Sequence, residues 1–144
     1  MTTTQPPMGR INVPLAFLGG GNMTGAIIAG ATRNDALGGG CVVADRNTER
    51  LDTFDVGART AAEALTWLAE EERSKGFGPG SGQIVLAVKP QSLGQMAAEI
   101  REIMAEQPER VVISILAGTP SARVHELLGG RGRVVRVMPN TPSR

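Results

Sequence analysis

Aromatic residues are scarce in this sequence: tyrosine is absent, and one tryptophan with three phenylalanines makes up only 3% of the chain. The stacking platforms on which single-stranded nucleic acids bind are therefore missing. Nor is there an excess of charge. The 15 basic residues nearly balance 14 acidic ones, for a formal net charge of +1, and they are scattered, so no basic patch is expected to hold nucleic acid. Cys41 is the only cysteine, which excludes an internal disulfide and a thiolate metal cluster; no metal is expected, and a reducing, cytoplasmic home fits best. The single histidine, His125 in "ARVHELL", has no catalytic partner arranged around it and is expected to pack at a helix end. No segment approaches the ~20 apolar residues of a membrane helix, so no membrane partner is expected. The opening "MTTTQPPMGRINVP" also lacks the apolar run of a signal peptide. Residues 1–12 are expected to form a flexible leader, and 13–144 one domain.

Short apolar runs are present instead. They recur at 13–19, 41–45, 83–88, 110–115 and 133–138, with a weaker one at 56–59. They are mostly Val, Ile and Leu without alternation, which suits strands buried on both faces of a parallel sheet. Helical segments are predicted between them at 22–33, 47–54, 60–74, 92–105 and 119–128. Leu93, Met96, Ala97, Ile100, Ile103 and Met104 form the apolar stripe of a helix lying on a sheet. Thr60 and Glu63 form a capping box. Thr119 then Pro120 reads as a helix cap and first helical residue. The alternation predicts a Rossmann-type, doubly wound α/β fold: a mainly parallel sheet of about six strands with helices on both faces. "KGFGPGSG" (75–82) reads as a mobile surface loop rather than a domain boundary, and the glycines of "ALGGGC" (36–41) as a helix C-cap and turn.

A second glycine triplet lies in "FLGGGNM". Gly19, Gly20 and Gly21 fall between a buried strand and a helix, where bare backbone N–H groups can face a pyrophosphate at the positive end of the helix dipole. The third small position of the dinucleotide fingerprint is Thr24 here. A Walker loop is excluded, because no lysine follows in Gly21-Asn22-Met23. A tight corner between strand and helix is the lesser alternative for the triplet. Asp45, ending the second strand, suits an acceptor for adenosine ribose hydroxyls, whereas Arg46 beside it suits a 2′-phosphate, so the pair points both ways. Lys89 and Pro90 follow the fourth strand at the carboxyl edge of the sheet, and "ISILAGTP" and "VMPNTP" end the next two strands at the same rim.

Taken in order, "FLGGGNMTGAIIAG", "DRNTERL", "LAVKPQ", "ISILAG" and "RVVRVMPNTP" resemble the N-terminal half of the pyrroline-5-carboxylate reductase family, which completes proline synthesis by passing a hydride from a nicotinamide to a cyclic imine. The resemblance implies that Gly19, Gly20, Gly21, Asn22 and Met23 hold the pyrophosphate. It further implies that Arg46 and Asn47 wrap the adenosine end, and that Ala87, Val88, Lys89 and Pro90 line the path to the nicotinamide. Leu116, Ala117 and Gly118 would contact the cofactor, and Asn140 would sit near the ring. NADP(H) is favoured, with NAD(H) possible, and no catalytic side chain is assigned. Thr24, Ala61 and Leu116 depart from the family's habit, and 66–82 is longer than its usual link into the fourth strand. The family continues into a helical domain that dimerises and supplies the imine's pocket; this chain is expected to lack it, to be inactive alone, and to be a homo-oligomer only in a full-length form. A stand-alone NAD(P)-binding sensor or interaction module is the alternative.

Overall fold

A computed structural model describes residues 9–138. Six strands form one sheet: β1 Leu15–Leu18, β2 Cys41–Ala44, β3 Gly57–Ala58, β4 Gln83–Leu86, β5 Val111–Ser114 and β6 Arg133–Arg136. The helices between them are α1 Asn22–Arg33, α2 Thr48–Leu51, α3 Ala61–Ser74, α4 Leu93–Glu106 and α5 Ser121–Leu127, with a 3₁₀ turn at Pro90–Ser92. The strand order is β3-β2-β1-β4-β5-β6 and every pairing is parallel. The doubly wound fold expected from the apolar runs is thus the one observed.

All four residues of β1 are buried, as a strand with neighbours on both sides and helices on both faces requires. One core packs Ala16, Leu18, Ile84, Leu86 and Val112 against Leu65 and Leu68 of α3, Ile100 of α4 and Val124 of α5. The other packs Leu15, Phe17, Val43 and Val85 against Ile27 and Ile28 of α1 and Leu51 of α2. The predicted stripe on α4 is the buried one: Leu93, Met96, Ala97, Ile100 and Met104 lie inside, with Ile103 packed at the margin. His125 packs near the end of α5, its Nδ1 3.1 Å from the Gly132 carbonyl oxygen.

Four local expectations change. Thr60 does cap α3, its Oγ1 accepting from Glu63 N at 3.1 Å, but the Glu63 carboxylate reaches Arg59 N rather than the capping residue's own N–H. α5 starts one residue late: Pro120 is its cap, with an extended ψ of 150°, and its carbonyl accepts from Val124 N at 3.2 Å. The "ALGGGC" glycines cap no helix, because α1 already ends at Asn34, whose amide Nδ2 donates to the Gly30 carbonyl at 2.8 Å. They serve close approach instead: a Cβ on Gly39 would overlap the Val13 backbone. The 75–82 loop is tied at its end, where Gly82 N donates to Glu72 Oε2 at 2.6 Å and the Gly82 carbonyl accepts from Arg110 Nη1 at 2.9 Å.

Of the expected leader 1–12, only 9–12 is described. Ile11 there bridges Leu37 in parallel fashion, and Arg10 pairs with Asp35. Among the described residues no helix is long and apolar enough to cross a membrane, and no cluster of metal-ligating side chains forms.

Candidate dinucleotide cleft

β1 and β4 are neighbours whose connections leave in opposite directions, so their carboxyl ends diverge and open a crevice where the strand order reverses. The glycine turn after β1 and the Ala87–Val88–Lys89 segment after β4 form its floor. Gly19 N donates to the Ala44 carbonyl at 2.8 Å, and Ala87 N to the Leu18 carbonyl at 2.8 Å. The turn is thereby stitched to both neighbouring strands.

The three glycines answer to different neighbours. Gly19 has φ +114°, and a Cβ on it would lie 2.6 Å from the Ala87 carbonyl oxygen; the protein's own backbone excludes a side chain there. Gly20 donates its N–H to Asp45 Oδ2 at 2.8 Å, and a Cβ would press on the same carboxylate at 3.1 Å. Gly21 is different. It caps α1 without any side-chain hydrogen bond, its φ of −75° suits any residue, and a Cβ would meet nothing within 4 Å. No protein atom explains that glycine, whereas an anion on the uncapped N–H groups of α1 would. The first turn of α1 holds no acidic residue that could occupy the place instead.

Thr24 is fully buried and donates its Oγ1 hydroxyl to the Gly19 carbonyl at 2.6 Å. A residue that departs from the small-residue fingerprint thus braces the turn it follows. Asp45 accepts on both oxygens, from Gly20 N and, at 2.8 Å, from Asn47 N, while Arg50 Nη1 stands 3.4 Å from Oδ2. Asp45 therefore fixes the relative position of the glycine turn and the β2–α2 loop, and Oδ1, with a single donor, retains a lone pair for a ribose hydroxyl.

The cleft measures about 470 Å³, within the usual range of small-molecule sites. It gathers Gly19, Gly20, Gly21, Asn22, Asp45, Arg46, Ala87, Val88 and Lys89 from among the residues singled out in the sequence. Met23, Asn47 and Leu116 to Gly118 do not line it. Asn47 caps α2 through Glu49 N, Leu116 is buried in the larger core, and Pro90 and Gly118 border a second, shallower cleft beside α5. Asn140 lies outside the described residues. The cleft also recruits Arg50, Arg59, Thr60, Gln95, Met96 and Glu99, which motif reading passed over. Arg59 directly follows β3, so the rule that pointed to the ends of the other strands would have found it; Glu99 lies mid-helix and carries no local signal.

Cys41 sits at the opposite edge, at the start of β2. Burial first, and the charge of Asp55 second, raise its pKa above the ordinary thiol value, so the thiol stays protonated and unreactive.

A doubly wound fold with an open glycine turn after its first strand is of the class that binds dinucleotides, and residues 14–118 match the family described as NADP oxidoreductase, coenzyme F420-dependent. The chain belongs to that family. Within this class it is similar to pyrroline-5-carboxylate reductases: 32% identical over 129 residues to that of Haemophilus influenzae, covering 90% of this chain and 44% of the relative, and 30% identical over 134 residues to that of Methanosarcina acetivorans, with the same coverage. The solved structure of a pyrroline-5-carboxylate reductase from Coxiella burnetii superposes with a TM-score of 0.74 at 27% identity, over 92% of this chain and 46% of that one. The resemblance carried by the motifs therefore holds across nearly the whole chain. The chain spans less than half the length of these relatives.

Proposed function

We propose that this chain is the dinucleotide-binding part of a pyrroline-5-carboxylate reductase, taking NADPH in preference to NADH for the reduction of 1-pyrroline-5-carboxylate to proline. The observation that carries the reading is Gly21, a glycine with open space where its side chain would stand and uncapped helix N–H groups behind it. The pyrophosphate would lie there. Asp45 and the arginines Arg46, Arg50 and Arg59 line the β2–β3 side of the cleft, which suits an adenosine ribose carrying a 2′-phosphate. Ala87 to Lys89 line the β4 side, toward the nicotinamide.

When bound, the dinucleotide supplies the hydride. The chain's own residues bind and orient it, and none of them is assigned a proton-transfer role, because a protonated imine is already electrophilic and needs positioning more than an acid. The residues holding the imine's carboxylate, and the contacts that make a homo-oligomer, would come from the part of the relatives' length that this chain does not span.

Calorimetric titration of the chain with NADPH and NADH tests the first part. Saturable binding of both, tighter for NADPH, is expected, and binding of neither would overturn it. Cofactor oxidation in the presence of 1-pyrroline-5-carboxylate should stay at background for this chain; robust turnover would overturn the assignment of the substrate pocket to residues outside it.

A further inference from the structure

We propose that Glu99 is a specificity-setting residue that restrains Arg46 across the cleft and so moderates its preference for a phosphorylated adenosine ribose. The inference rests on the dinucleotide reading above. Glu99 lies on α4, yet its carboxylate reaches the opposite wall. Oε2 stands 3.6 Å from Arg46 Nη2 in the β2–α2 loop, and Oε1 accepts from Ala62 N in the first turn of α3 at 3.4 Å. Three separate elements thus meet through one side chain. Both partners line the cleft, the carboxylate side chain 25% exposed and the guanidinium 66%.

The other cations there are placed differently. Arg50 faces Asp45, whereas the side chains of Arg59 and Lys89 pair with no carboxylate among the described residues. Of the three arginines lining the β2–β3 side, Arg46 is therefore the one held by a group on the far wall.

A dianionic 2′-phosphate approaching Arg46 must displace the Glu99 carboxylate or lie beside a like charge, and either weakens its binding. A free 2′-hydroxyl is neutral and meets no such opposition. Glu99→Gln removes the charge and keeps a carbonyl oxygen for the Ala62 N–H, so α3 retains its contact.

The pair is solvent-accessible, and its effect is correspondingly modest. NADPH should bind ~3–5-fold more tightly to Glu99→Gln, with NADH changing less than about twofold. Adenosine 2′,5′-bisphosphate against 5′-AMP should reproduce the change, because the contact sits at the adenosine end. In an Arg46→Ala background the gain should shrink below about twofold, since the restrained partner is gone. Titrations of these four ligands into wild type, both single variants and the double variant decide the matter. A ligand ratio unchanged by Glu99→Gln in protein that binds both cofactors overturns the inference and leaves the cleft's reading intact. An equal gain with and without Arg46 overturns the restraint, showing a carboxylate that acts on the phosphate directly. Wild-type protein that binds none of the four ligands overturns the cleft's reading, and this inference with it.

Discussion

The two edges of the sheet both gather charge, and they handle it in opposite ways. At the amino edge, Glu72 of α3 and Arg110, just ahead of β5, are buried to 4% and 1% exposure. Their contact is two-pronged, Arg110 Nη1 to Glu72 Oε2 at 2.6 Å and Nη2 to Oε1 at 3.3 Å; Gln107 and both backbone groups of Gly82 add hydrogen bonds, and Arg110 Nε alone of the guanidinium nitrogens has no partner among the described residues. At the carboxyl edge, the pairs of Arg46 with Glu99 and Arg50 with Asp45 span 3.6 and 3.4 Å, and both arginines are exposed. Backbone N–H groups at the start of α1 are left without a side-chain cap. A buried charge must be matched by its own protein, or desolvation makes it too costly. A charge left half-paired in an open cleft remains available to something that arrives later.

If that contrast is right, breaking the amino-edge pair should cost the fold most. Glu72→Ala strands a buried guanidinium and should destabilise by about 3–5 kcal/mol, read as a shift in the denaturant midpoint. A loss under about 1 kcal/mol would mean that the pair is no better than a surface one. Thr24→Val comes next. It leaves the Gly19 carbonyl unsatisfied in the part-buried turn, for a loss of about 1–3 kcal/mol, and should weaken both cofactors together because the turn loses its brace. Unchanged binding would show that the turn holds its shape without Thr24.

The pH dependence is smaller and has a definite sign. Burial alone would raise the Glu72 pKa, but the Arg110 hydrogen bonds, the Gly82 N–H and the Arg110 charge outweigh it and hold it below the ordinary value of 4.5. A carboxyl depressed in the folded state contributes stability above its unfolded pKa and loses it as pH falls through the folded one. Melting temperatures of wild type should therefore drop on acidification below about pH 5, and those of Glu72→Gln should drop less. Parallel acid limbs would assign the loss to other carboxylates. The smallest effect expected is at Cys41, whose protonated thiol should react with iodoacetamide more slowly at neutral pH than an unfolded control; equal rates would show it exposed.

The two edges also differ in how far they could be read from sequence. The strands were legible because buried parallel strands are continuous apolar runs, and the glycine turn because strand, turn and helix follow one another directly. The amino-edge pair was not, since its partners are 38 residues apart and "AEEER" looks like a solvated helix end. Only the packing of α3 on β1 and β2, which brings Glu72 to Gly82 and Arg110, shows that its side chain points inward. Glu99 escaped for a related reason: its wall of the cleft exists only once α4 lies on the sheet, whereas Arg59, directly after β3, was within reach of the strand-end rule. The misplaced helix start at Pro120 and the reading of the "ALGGGC" glycines as a helix cap were errors of local detail. In both, carbonyl partners and backbone approach settled what residue type left open.

Gly21 offers the most direct test, because among the three glycines it is the one that the protein does not itself require. With nothing within 4 Å of a Cβ and an ordinary φ, Gly21→Val should fold as wild type, with the same circular dichroism and a nearly unchanged melting temperature. In calorimetric titrations beside wild type it should bind neither NADPH nor NADH detectably, since the side chain would occupy the place of the pyrophosphate. A folded Gly21→Val protein with wild-type affinity for both cofactors would contradict the account: the turn would then be only a corner between strand and helix.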